Sequence, residues 1–267
     1  MSKYALRFLA LGYLLLLLGI PVALVFVNAF QDGVGAAWDA VTTPEAQHAF
    51  YLTFVMVAVA VPLNTIFGIV CALAIVRQRF RGRALLNALV DLPFAVSPVV
   101  VGLALLLVWG SRDGWLGDWL AEQGIQMIFS TPAMILATIF VSLPFVVREV
   151  IPVLREIGTE QEQAAATLGA GPCQTFVRVT LPAIRYGVAY GVVLTTARAL
   201  GEFGAVSVVS GKLSGQTETA TLYVENRFLR LDETSAYAVS VVLALLALVT
   251  LLAMNLIQPK EAKEAKA

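Results

Sequence analysis

Six apolar runs follow one another along this chain, at about 7–29, 50–76, 84–109, 129–147, 186–210 and 236–257. Each has about 20 residues or more, the length a helix needs to cross a hydrocarbon core about 30 Å thick. Lipid offers no hydrogen bonds, so a crossing segment must satisfy its own backbone, and a helix does that within a single segment. The expected fold class is therefore an all-α integral membrane protein with six transmembrane helices, residues 1–267 forming a single transmembrane domain. Composition agrees, with 59% hydrophobic and 13% charged residues against about 25% charged in ordinary soluble chains. The first run follows Lys3 and Arg7 and ends in Val27-Asn28-Ala29, in the manner of a secretion signal. Its apolar core exceeds the roughly 7–15 residues of such signals and is read as a retained anchor.

Lysine and arginine are distributed unevenly between the connections. Lys3, Arg7, Arg77, Arg79, Arg81, Arg83, Arg148, Arg155, Arg178, Arg185, Lys260, Lys263 and Lys266 lie on one side, against Arg112, Lys212, Arg227 and Arg230 on the other. Basic residues mark the cytoplasmic side. Both termini and the connection between the fourth and fifth runs are thus expected in the cytoplasm, with residues 258–267 a flexible tail.

Several chemistries lack their residues. Cys71 and Cys173 form no metal pattern or disulfide framework. There is a single histidine, His48, and nothing near it in the sequence suggests a Ser-His-Asp site. No catalytic or metal-ligating residues are assigned, no cofactor is expected on this chain, and no nucleic-acid partner is expected. A phosphate-binding G-x-x-x-x-G-K-[ST] loop is also missing; "SGKLSG" at 210–215 lacks its leading glycine and following hydroxyl.

Between the fourth and fifth runs lies "EQEQAAATLGAGPCQTFVRVTLP", residues 160–182, polar and rich in alanine. Thr159 followed by Glu162 has the pattern of a capping box, and Gly169 suits the left-handed residue that ends a helix. Pro172 suits the first turn of a second helix, which the bias of the residue before Pro182 is expected to end. Ala164, Ala165 and Leu168 share a face of the first helix, as do Cys173, Phe176 and Val179 or Val177 on the second. Small alanines allow close approach by another surface, and Phe176 is an apolar anchor of the interface kind. Taken alone, the segment is equally an ordinary loop folded on its own bundle.

At these positions the chain resembles the membrane subunits of ATP-binding-cassette importers, whose cytoplasmic signature is Glu-Ala-Ala, three residues, Gly, nine residues, Ile, one residue, Leu-Pro. Gln163-Ala164-Ala165, Gly169, Val179, Leu181 and Pro182 stand at that spacing. The glutamate position holds Gln163, with Glu162 one place early. The resemblance implies a type I importer permease whose segment 159–182 docks on a separate ATPase. That partner carries ATP and magnesium, so this chain is a non-catalytic subunit. The docking residues it implies are Glu162, Gln163, Ala164, Ala165, Leu168, Gly169, Phe176, Leu181 and Pro182.

The fifth run carries Gly187, Gly191, Thr195, Arg198, Glu202 and Ala205 within an arc of about 80° if the helix is continuous. Gly187 and Gly191 form a G-x-x-x-G pair suited to close helix packing. Arg198 and Glu202 can pair, and charges in membrane helices face bundle interiors or polar cavities. Pro93 and Pro98 are expected to kink or break the third run, next to Ser97. Ser97, Thr195, Arg198 and Glu202 are thus candidates for a translocation path or its gate, with helix packing the competing role. "ARALGEFGAVSVVSG" (197–211) and "DLPFAVSPVVVG" (91–102) look like the sulfate/molybdate branch of these permeases, the first being close to the W-type sulfate/thiosulfate subunits. The resemblance implies a T-type second permease, two ATPase copies, a periplasmic sulfate-binding protein and a bacterial inner membrane. Its substrate alternative is molybdate or tungstate. An ATP-independent anion channel or secondary carrier is the alternative of a different class.

Overall fold

The computed structural model describes residues 3–111 and 114–257, and these are helical throughout apart from turns and short connections. Arg112 and the 258–267 tail lie outside the described residues. In chain order the helices are α1 (Lys3–Leu14), α2 (Ile20–Ala29), α3 (Val34–Val41), α4 (Pro44–Arg77), α5 (Arg83–Ala95), α6 (Pro98–Trp109) and α7 (Gly117–Glu122). There follow α8 (Thr131–Glu156), α9 (Glu160–Thr167), α10 (Pro172–Thr175), α11 (Leu181–Leu200), α12 (Gly204–Val209), α13 (Ala220–Leu229) and α14 (Glu233–Ile257). Among the described residues, five continuous helical stretches are long and apolar enough to cross a membrane: Tyr4–Ala29, Pro44–Arg77, Thr131–Glu156, Pro172–Leu200 and Glu233–Met254.

The third apolar run is not a single rod. α5 and α6 are bent by 112° at Val96–Ser97, as a broken span or a re-entrant loop. Only Pro98 breaks the chain, taking the first position of α6, while Pro93 is carried inside α5. The fifth run is also interrupted. α11 ends at Leu200, and a short link at Gly201–Phe203 leads into α12. The single face expected from Gly187 to Ala205 therefore stops before Glu202, because the helix does.

Pro182 does not end a helix, contrary to expectation. α10 runs through a π turn, Phe176–Thr180, directly into α11, with Pro182 in its first turn. A proline ring collides with the carbonyl four residues earlier, and the wider π turn takes up that conflict. The same device precedes Pro21, where the π turn Leu15–Gly19 joins α1 to α2.

The chain divides into two compact units, one within Met1–Leu52 and Leu213–Leu246, the other within Thr53–Lys212 and Ala247–Ala267. The first packs Ala46 and Ala49 against Ala220, Tyr223 and Val239, with a 3.3 Å hydrogen bond between the Thr43 and Tyr223 hydroxyls. No residue in the most apolar window of Tyr4–Ala29 is buried. The second unit is built around α8, whose Val146, Val147, Val150 and Leu154 are fully buried with Ala72 and Ile75 of α4, Val90 of α5 and Ile184 of α11. Glycine permits the approach on two sides. A Cβ at Gly68 of α4 would lie 2.7 Å from the Val146 side chain, and one at Gly191 of α11 would lie 2.7 Å from its Cα. Asn64 crosses from α4 to α8, donating to Ser142 Oγ at 2.8 Å and to the Ile139 carbonyl at 3.0 Å.

Candidate functional site: a mounted insert and two broken helices

α9 closes as a Schellman motif. The Gly169 amide donates to the Ala166 carbonyl and the Ala170 amide to the Ala165 carbonyl, each at 3.0 Å, while Gly169 takes the required left-handed φ of 87°. Its start differs from the expected capping box. Thr159 takes the cap position without a side-chain cap bond, and its hydroxyl accepts from Gln163 Nε2 at 3.0 Å. Glu162 is drawn away by two stronger partners. Its Oε2 lies 3.0 Å from Arg77 Nε, and its Oε1 accepts from the Thr180 hydroxyl at 2.9 Å. Arg77 in turn donates to the carbonyls of Leu154 (3.0 Å) and Gly158 (2.6 Å). The carboxylate thus joins the end of α4 to the π turn leading into α11, and Arg77 carries the link on to the end of α8. In the sequence Arg77 is one of several basic residues and Thr180 belongs to no motif; no local pattern announces a pairing between residues so far apart in the chain.

The opposite side of the insert is open. Leu168 is 89% exposed, and Gln163, Ala164, Gly169 and Cys173 are exposed beside it. Ala165, Leu168, Gly169, Gln174 and Val179 border a shallow groove on this side. Phe176 is half-buried and faces a second groove with Leu73, Arg77, Glu162 and Pro172. Leu181 and Pro182 lie past the π turn, at the start of α11. The candidate docking residues therefore fall into three groups. Gln163, Ala164, Ala165, Leu168 and Gly169 present an outer face, Glu162 and Phe176 lie on the inner face, and Leu181 and Pro182 join the insert to its span.

The two helix breaks abut. A Cβ on Gly204 would lie 2.9 Å from Pro98 Cβ, and one on Gly102 would lie 2.8 Å from both the Ala205 carbonyl and Val208 Cβ. α6 and α12 therefore cross at backbone contact. Glu202, 2% exposed, spans its own break, its Oε1 accepting the Ala205 amide at 2.9 Å and its Oε2 meeting Arg198 Nη1 at 2.8 Å. Ser97 is exposed at the other break and caps α6 without a side-chain bond. Thr195 is turned inward, fully buried, with its hydroxyl on the Gly191 carbonyl at 2.7 Å. Ser97, Arg198 and Glu202 thus mark the two breaks, and Thr195 belongs to the packing behind them.

Comparison with known proteins agrees with this architecture. The signature of the binding-protein-dependent transport system inner membrane component family matches residues 64–263. The chain is 52% identical to the sulfate transport system permease protein CysW of Synechocystis sp., over 97% of this chain and 93% of that one. It is 40% identical to the sulfate transport system permease protein CysT of Synechococcus elongatus, over 92% and 88% of the two chains. A bacterial alginate ABC transporter, crystallised in complex with an alginate pentasaccharide-bound periplasmic protein, superposes with a TM-score of 0.78 at 19% identity, covering 97% of this chain and 94% of its own. That likeness concerns the fold.

Proposed function

Because the chain belongs to the family of inner membrane components of binding-protein-dependent transport systems, we propose that it is a permease subunit of an ATP-driven sulfate importer. The sulfate assignment rests on the relatives that match over nearly the whole chain. The observation that carries the mechanism is the two-sided insert, mounted through Glu162 on its inner face and presenting Leu168 outward. Leu168 and the groove it borders with Ala165 and Val179 offer apolar surface that a partner would remove from water. The occupant of that face is the ATPase, present in two copies, with ATP and magnesium bound there. A CysT-like second permease and a periplasmic sulfate-binding protein complete the assembly, and the insert and both termini lie in the cytoplasm.

In this reading, closure of the ATPase moves the insert. The motion passes through Glu162 to the end of α4 and through the π turn into α11. α11 ends at the Arg198–Glu202 pair, beside the break at Ser97–Pro98. Two interrupted helices in contact are suited to alternating access, since irregular backbone at membrane depth is tolerated where it is buried or lines a cavity. Glu202 repels anions and is neutralised by Arg198, so Ser97 is the polar group at the breaks free to meet a passing oxyanion.

Leu168→Asp tests the docking. The residue is almost fully exposed, so the variant should insert and fold normally yet lose ATPase co-purification and sulfate uptake. Wild-type co-purification and uptake would remove the insert from the mechanism. Competition of sulfate uptake by thiosulfate and by molybdate assigns the cargo within the class.

A further inference from the structure

Basic residues crowd the insert-bearing end of the second unit, and the positive-inside tendency explains their number. It does not explain their convergence. Arg83 and Arg148, both half-buried, and the exposed Arg155 line one pocket of about 300 Å³ with Asn87, Ala84 and Ile75, whereas the exposed Arg79 and Arg81 do not border it. The helical period brings them together. Arg83, Asn87 and Asp91 follow at four-residue steps on α5, and Arg148 and Arg155 stand two turns apart on α8, so each set forms a stripe. The two stripes face each other where α5 packs on α8.

The charge on these stripes is not balanced. Asp91 makes a bidentate pair with Arg148 through its Nε (2.6 Å) and Nη2. Among the described residues, Arg83 and Arg155 have no carboxylate partner, and none lines the pocket. Three guanidiniums and one carboxylate leave two positive charges around this pocket. Guanidinium forks match the paired oxygens of sulfate and phosphate groups, and Asn87 adds an amide donor.

We propose that Arg83, Asn87, Arg148 and Arg155 form a binding site for a tetrahedral oxyanion group at this end of the protein, separate from the helix breaks. Its occupant is a free dianion such as sulfate or phosphate, or the phosphate of an anionic lipid headgroup. A group held there clamps α5 to α8. The site is a property of these side chains alone and stands whether or not an ATPase docks on the insert.

The test uses the full chain in nanodiscs. In discs of phosphatidylcholine alone, radiolabelled sulfate and inorganic phosphate are titrated onto wild type, Arg83→Gln/Arg155→Gln and Arg79→Gln/Arg81→Gln. The second variant removes the same charge from outside the pocket. The first should bind at least about tenfold more weakly, the second like wild type, and Arg155→Lys, which keeps the charge, should fall between. If wild type instead carries phosphatidylglycerol through purification, seen by native mass spectrometry and absent from Arg83→Gln/Arg155→Gln, the headgroup is the occupant. Equal losses in both double variants would reduce the cluster to generic surface charge. Neither sulfate, phosphate nor retained phosphatidylglycerol on wild type would overturn the site.

Discussion

Glu162 shows how far one position can shift a side chain's role. Successive helical residues differ by about 100° in direction, so Gln163 is exposed on the outside of α9 while Glu162 reaches Arg77 and Thr180 within. The motif spacing singled out both and could not say which one faced the bundle, because both partners come from elsewhere in the chain. Glu162→Gln keeps an acceptor for Thr180 and loses the charge opposite Arg77. We expect the ATPase still to co-purify while sulfate-stimulated hydrolysis and uptake fall about tenfold, since a hydrogen bond to a charged group contributes about 1.5–3 kcal/mol. Loss of the ATPase itself would place Glu162 on the docking face instead. The Arg198–Glu202 pair stands differently. Glu202 is buried while the Arg198 side chain is 31% exposed, so removing the arginine leaves the carboxylate uncompensated but should cost less than the roughly 3–5 kcal/mol typical of a fully buried pair. Arg198→Gln should therefore lower the melting temperature of the solubilised protein as well as uptake; an unchanged melting temperature would limit Arg198 to a transport role.

At the scale of elements, glycine was easier to read than proline. Gly187 and Gly191 stand on α11 where α8 comes closest, as their spacing indicated. Gly191→Leu would drive a side chain into the Val146 backbone and should cost about 1–3 kcal/mol, read as a lower melting temperature and reduced yield. A neutral result would mean that α8 can move aside. Proline usually ends helices, so the sequence around Pro182 reads as a helix end, but the preceding π turn lets the helix run on. The end of α11 was hidden for the opposite reason. The gap at Gly201–Phe203 lies inside one long apolar run, where a single charge does not mark a helix end, and the capping by Glu202 depends on tertiary packing. The break before Pro98 was visible, but its 112° bend was not; proline weakens a helix locally without dictating where the chain goes next.

For the whole molecule, the apolar runs made the fold class legible, and the insert's spacing made the family legible. Orientation remains a matter for chemistry, and the two cysteines provide the means. Cys173 is exposed on the insert and Cys71 is buried in the second unit's core. A membrane-impermeant maleimide should label Cys173 in inverted vesicles and not in intact spheroplasts, and bound ATPase should slow the reaction. Labelling from the outside would reverse the assigned topology. The mount beneath the insert has a consequence of its own. Fastened through Glu162 to the end of α4 and to the entry to α11, the insert is tied to two long helices by a single side chain, so losing that carboxylate would release both links at once.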